Sequence, residues 1–387
     1  MPLRHCFYRK LLFSNILMHI GMWMTTTAAA WHMTKITDSD LLVGLTQTFS
    51  TLPVFCLSLL AGYFADSYRK SSYLLSAILG CIATVVVYIA TYLLFFPVAP
   101  VNLLFFLFIF NCFSAMIWPA WQAAVSTSIP REDIKNAALL NGLSFNMGRS
   151  LGPGFAGIVM SVFGVKFVFA INAILLLPLA VVLFKWRSYE PSPGISREGF
   201  VKSYIDVVRS GEVQSLIVVT VITFFSISGF WSLLPVLMSQ SGFQARDYGS
   251  IMALAGGGAV LGALVAPPLR DKMTGKSLMA LSMLGFSLIS LVTPYFVGSY
   301  WIYVAVTLFG ILTPWHIATI NAKAQIISNF SLRAKVLAIN LVSMYGAMAL
   351  GGAIWGGISQ SFTPLISLTA CSFFLIISSF VVNRFFN

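Results

Sequence analysis

Long apolar runs separated by short polar breaks fill the chain from one end to the other. Twelve runs can be marked, at about 11–33, 41–65, 72–96, 101–127, 136–162, 165–184, 213–239, 248–269, 277–297, 300–327, 336–360 and 363–383. Each is close to the ~20 residues that a helix needs to cross the hydrocarbon core of a bilayer. In lipid a segment must satisfy its own backbone groups, so each run is predicted to be an α-helix. Some breaks are sharp, such as Pro97-Val98-Ala99-Pro100, while Phe163-Gly164 and Ser361-Phe362 are slight.

One break is different in kind. Residues 185–212 hold Lys185, Arg187, Glu190, Arg197, Glu198, Lys202, Asp206, Arg209 and Glu212, with Pro191 and Pro193. This polar connection divides the chain into an N-terminal six-helix bundle, residues 1–184, and a C-terminal six-helix bundle, residues 213–387. The expected fold is an all-α membrane protein with twelve transmembrane helices in two pseudo-symmetric bundles.

Composition agrees with the pattern. Of 387 residues, 58% are hydrophobic and 9% charged, against about a quarter charged in soluble domains. The mean hydropathy is +0.89. Arg9 and Lys10, the apolar run and Ala28-Ala29-Ala30 have the order of a secretory signal. The run is too long for that, so an uncleaved first helix is expected. Four of the five cysteines, Cys56, Cys81, Cys112 and Cys371, fall inside apolar runs with no metal or CxxC spacing. All five are read as small buried packing residues, and no metal or cofactor is expected.

The net charge of +12 reflects topology. With the N-terminus inside, eighteen of the 23 basic residues lie in cytoplasmic segments, and only Lys35, Lys166 and Arg246 lie outside. That bias orients a multi-pass protein with both termini cytoplasmic, in the plasma (inner) membrane. The basic residues form no aromatic-interleaved cluster, which argues against nucleic acid as a partner.

The halves repeat. Gly44 and Gly249 are 205 residues apart, as are the ends of the second and eighth spans. Asn141, Gly152 and Gly157 match Asn340, Gly351 and Gly356 at an offset of 199. Parallel six-helix repeats are an architecture of secondary transporters, with the substrate site near mid-membrane between the halves.

Gly62-Tyr63-Phe64-Ala65-Asp66-Ser67-Tyr68-Arg69-Lys70 resembles the loop 2–3 signature of the major facilitator superfamily. It departs at Ser67 and Arg69, where Arg and then Gly or Asp are common. Ile129-Pro130-Arg131-Glu132-Asp133, Asn136-Ala137, Asn141, Phe145-Asn146, Arg149 and Gly152-Pro153 resemble the exporter branch that includes enterobactin and macrolide efflux proteins. Leu332-Arg333-Ala334-Lys335-Val336 is similar to the same branch's second-half block. The resemblance implies that Gly62, Asp66, Arg69, Lys70 and Arg333 form a cytoplasmic gate, with Asp66 docked on the start of the eleventh helix.

No acidic residue falls mid-span, but two cations do, Arg149 and Lys323. Arg149 lies near the midplane, where a charge must find a partner or line a cavity. Backbone carbonyls that staple helices, a loop carboxylate and an anionic substrate all remain open as its partner. Lys323 is nearer a helix end, within reach of the interface. Trp118-Pro119-Ala120-Trp121-Gln122 and Pro314-Trp315-His316 occupy counterpart helices, with Asn321 and Gln325 following. The expected substrate set is Arg149, His316, Trp315, Trp118, Gln122, Asn146, Asn321 and Lys323. His19 and His316 are the proton-coupling candidates.

The expectation is a monomeric secondary transporter. It is a proton-coupled exporter of a small anionic or neutral organic molecule, siderophore-like or drug-like, working by alternating access between the lipid bilayer's two sides. The alternative is a non-transport receptor or a lysolipid flippase on the same fold. The chain carries no HExxH motif and no paired mid-membrane carboxylates, so an enzyme is not expected.

Overall fold

The computed structural model describes residues 2–94, 99–187, 204, 206–327 and 332–385. Among them twelve long helices follow one another: α1 (Cys6–Ile36), α2 (Asp40–Ser67), α3 (Lys70–Leu94), α4 (Pro100–Ser128), α5 (Ile134–Phe163), α6 (Val165–Trp186), α7 (Gly211–Gln240), α8 (Ala245–Arg270), α9 (Gly275–Phe296), α10 (Trp301–Ile326), α11 (Arg333–Ser361) and α12 (Pro364–Phe385). Most of the polar connection at 185–212 lies outside the described residues.

Local chemistry sets several helix ends. The Ser39 hydroxyl accepts the Leu42 amide at the start of α2, and the Asp247 carboxylate accepts the Gln244 amide at the start of α8, in each case satisfying an end group that the helix cannot. The slight break after Phe163 is made by Gly164, whose φ of 88° is costly for any residue with a Cβ.

Among the described residues, nine helices are long and apolar enough to cross a membrane unaided. α1 and α5 are not among them, because each carries a polar face: Asn15, His19, Thr25 and Thr27 on one, Asn141, Ser144 and Arg149 on the other. Those faces are tolerated because α1 is enclosed by α2, α4, α5, α6, α7 and α8. In α12 only Pro364–Phe380 is counted as an apolar stretch.

The packing repeats between the halves. In the first, α1 packs on α5 and α6, α2 on α4, and α3 on α4 and α6. In the second, α7 packs on α11 and α12, α8 on α10, and α9 on α10 and α12. The halves meet through α2 against α11 and α5 against α8, which are images of each other. The sequence repeat is therefore a repeat of contacts.

The alternating helices define a terminal face, near Cys6 and the end of α12, and a far face, near Ile36 and Asp40. Contacts joining the halves mark the far-face side. Trp31 stacks on Tyr248 with ring centroids 5.2 Å apart. Lys35 Nζ donates to Ser239 Oγ at 3.0 Å. Ser359 Oγ donates to the buried Asp40 carboxylate at 2.6 Å, and Thr48 donates to the Ala349 carbonyl at 2.7 Å. The apolar core is also continuous across the halves there, through residues such as Trp31, Val43, Phe230, Tyr248 and Trp355. Toward the terminal face the second half has a separate core of its own, including Val213, Leu216, Met279, Ile320 and Val336. On the enclosed α1, Phe13 is 62% exposed, and Ile16, Ile20 and Trp23 are half-buried. This stripe borders a space between the halves.

The expectation for the cysteines is corrected. Cys81 and Cys371 are buried and Cys112 is half-buried, but Cys6 and Cys56 are exposed. An apolar run covers the lipid-facing side of a helix as well as its packed side, so membership of a run does not determine the face.

Candidate functional site

Arg149 is at mid-length in the thirty-residue α5. α5 runs beside α1 because Gly148 and Gly152 leave no side chain between them. A Cβ on Gly148 would stand 2.6 Å from the Cβ of His19. The Arg149 guanidinium carbon lies 6.0 Å from the Trp23 ring centroid, within cation–π range. Among the described residues the guanidinium makes no hydrogen bond or ion pair, and it is half-buried. Its five N–H donors thus have no hydrogen-bond acceptor among the described residues.

Aromatic rings surround this cation. Phe145, one turn from Arg149, meets His19 (5.5 Å, 83°), Trp23 (5.9 Å, 73°) and Trp118 (6.2 Å, 67°), all edge-on. His19 is 7% exposed and Trp118 42%. The exposed Gln122 follows one turn beyond Trp118, nearer the terminal face. Asn146 is half-buried, and its amide donates back to the Gly142 carbonyl at 2.9 Å. Of the expected residues, Arg149, Trp118 and His19 are thus joined through Trp23 and Phe145 in one wall of the first half, with Asn146 next to Phe145 in the chain and Gln122 one turn from Trp118.

Trp23 and Phe145 were absent from the sequence-based set. Helix spacing contains the signal: Phe145 and Arg149, like His19 and Trp23, are four residues apart and share a face.

The second-half residues lie elsewhere. His316 is 1% exposed, its Nδ1 is 3.1 Å from the Ser282 hydroxyl, and Phe224 and Phe286 stand edge-on to it. Trp315 Nε1 donates to the Gly262 carbonyl at 2.8 Å, fastening α10 to α8. Asn321 Oδ1 accepts from Asn340 Nδ2 at 3.3 Å, and Thr220 donates to Asn340 Oδ1 at 2.6 Å. Lys323 is in the last turn of α10, at the terminal face. The hydrogen bonds and ring contacts of Trp315, His316 and Asn321 among the described residues stay within the second half.

For the gate, Gly62 has open space beside it. Arg69 and Lys70 stand at the turn between α2 and α3, and Arg333 opens α11. The Asp66 side chain lies outside the described residues. No group of three or more metal-ligating side chains occurs among the described residues.

The profile of the family described as "Transmembrane secretion effector" matches residues 1–386. The chain is 23% identical over 372 residues to a staphyloferrin A transporter of Staphylococcus aureus, covering 92% of each protein. It is 23% identical over 398 residues to the enterobactin exporter EntS of Shigella boydii serotype 4, covering 96% of this chain and 90% of that one. Among solved structures it is similar to the nucleoside transporter NupG, with a TM-score of 0.75, 12% identity and 99% of each chain covered. It is also similar to a bacterial homologue of the human lysosomal transporter Spinster, with a TM-score of 0.70, 16% identity, and 100% and 98% covered. A family match across the whole chain and a shared fold of two six-helix bundles lead to one conclusion: the chain belongs to the transmembrane secretion effector family of major facilitator superfamily transporters.

Proposed function

We propose that the chain exports a small organic anion, siderophore-like or drug-like, from the cytoplasm by alternating access, with Arg149 as the residue that recognises it. One observation carries this reading. A half-buried guanidinium at mid-length of α5 makes no hydrogen bond or ion pair among the described residues. Such a charge is costly in a membrane, and an anionic cargo supplies the missing partner.

The charge bias supports a cytoplasmic terminal face in the plasma (inner) membrane. The halves joined at the far face and separately cored at the terminal face then correspond to a state open to the cytoplasm. Residues 1–184 and 213–387 rock as two bodies about the connection at 185–212, within one monomer. The gate of Gly62, Asp66, Arg69, Lys70 and Arg333 closes the cytoplasmic side in the opposite state.

We assign proton exchange to His316. A proton on His19, beside Arg149, would add positive charge and strengthen anion binding, which opposes exchange. His316 is in the other half and can bias the rocking without that conflict.

Comparing metabolites in medium and cells, with and without the protein, tests the reading. The expected result is an organic anion that accumulates in medium only when the protein is present. No protein-dependent change in any anion would overturn it.

A further inference from the structure

The ring wall beside Arg149 carries information about the shape of the cargo as well as its charge. Phe145 touches three rings at once, each edge-on. The rings meet at steep angles, and neither indole is fully covered: Trp23 is half-buried and Trp118 is 42% exposed. An indole face in such a place takes a flat ring or a cation well, and Trp23 already has the Arg149 guanidinium near it.

Among the described residues the wall holds one permanent cation, Arg149. A ligand with several separated acidic groups would bring charges that nothing here compensates. A ligand with one acidic group can pair it with the guanidinium in two parallel hydrogen bonds, while its remainder lies against rings. Neither the surrounding rings nor Asn146, whose amide is bonded to its own helix, favours an aliphatic polyol.

We infer that the site selects a singly charged aromatic acid, one flat ring system bearing one acidic oxygen group, held between Arg149 and the faces of Trp23 and Trp118. This rests on the anion-export reading and narrows it.

The test uses the full-length protein in lipid nanodiscs and three probes, 2-naphthoate, its ring-saturated counterpart decahydro-2-naphthoate, and naphthalene-2,6-dicarboxylate, titrated by calorimetry. Loss of the ring faces corresponds to about tenfold in affinity. The expected order is 2-naphthoate about tenfold tighter than the saturated acid, with the dicarboxylate weaker than 2-naphthoate. Trp23→Leu should erase the difference between ring and saturated acid. Trp118→Leu, at the most exposed ring of the wall, provides the same comparison if the first variant fails to fold. Arg149→Gln should abolish binding of all three. Equal binding of the naphthoate pair that still requires Arg149 overturns this inference and leaves anion export standing. Tighter binding of the dicarboxylate overturns the single-charge claim. Binding of none of the probes counts against both readings.

Discussion

Gly44 and Gly356 meet backbone to backbone across the seam between the halves, where a Cβ on Gly44 would stand 2.9 Å from the Gly356 Cα. Gly249 and Gly157 make the same contact on the other side, at 2.6 Å. These are the residues that the internal repeat aligns, Gly44 with Gly249 and Gly157 with Gly356. Large side chains at either crossing should hold the far face open. Overpacking of this kind costs about 1–3 kcal/mol. Spin labels across the far face should report longer distances in Gly44→Leu and Gly249→Leu than in the parent protein, and unchanged distances would contradict the assignment.

The Asp40–Ser359 hydrogen bond is a second closing contact. Ser359→Ala leaves a buried carboxylate without its donor in the closed form only, at a cost of about 1.5–3 kcal/mol. A cysteine introduced as Gln47→Cys in a cysteine-free background, beside Gly352 in the seam, should then react faster with an impermeant maleimide added from the far side. Equal rates with and without Ser359→Ala would remove the Asp40–Ser359 bond from the far-face closure.

Much of this arrangement was legible in the sequence. The twelve helices follow from run length, and the pairing of halves follows from Gly44, Asn141, Gly157 and their counterparts. Arg149 was conspicuous because a lone cation in an apolar run has few physical explanations. The site was harder to read. Trp118 and Pro314-Trp315-His316 occupy counterpart helices, which invites grouping them around one cavity. The chain instead uses Trp315 and His316 to fasten the second half, by bonds to Gly262 and Ser282. A motif names a residue's helix, but its rotation about the helix axis depends on neighbours that are distant in sequence. For Trp23, the spacing from His19 gives the face, and its place beside Arg149 follows once Gly148 and Gly152 bring α5 against α1.

Asn340 provides a test of that distinction. Its side chain links Thr220 and Asn321 within the second half. Asn340→Leu leaves two polar groups without a partner and should destabilise the protein by about 1–3 kcal/mol, seen as a lower midpoint in a thermal scan. Anion affinity of the folded fraction should be unchanged. A selective loss of affinity would move Asn321 and Asn340 into the cargo site.

His316→Gln addresses the driving force. It keeps a polar side chain near Ser282 but cannot carry a proton. In proteoliposomes, collapse of the pH gradient should slow export by the parent protein and leave the His316→Gln variant unaffected. Continued export by the parent protein, stopped only when the electrical potential is removed, would assign the driving force to the anion's own charge.

The most direct measurement is export of the anion found by metabolite comparison, from cells carrying Arg149→Ala at matched membrane abundance. Removing one partner of a buried charge pair costs about 2–5 kcal/mol, so the account predicts that export falls at least about thirtyfold while the protein remains folded and in the membrane. Undiminished export by Arg149→Ala, or loss of the folded protein in its place, would contradict the role given to this residue.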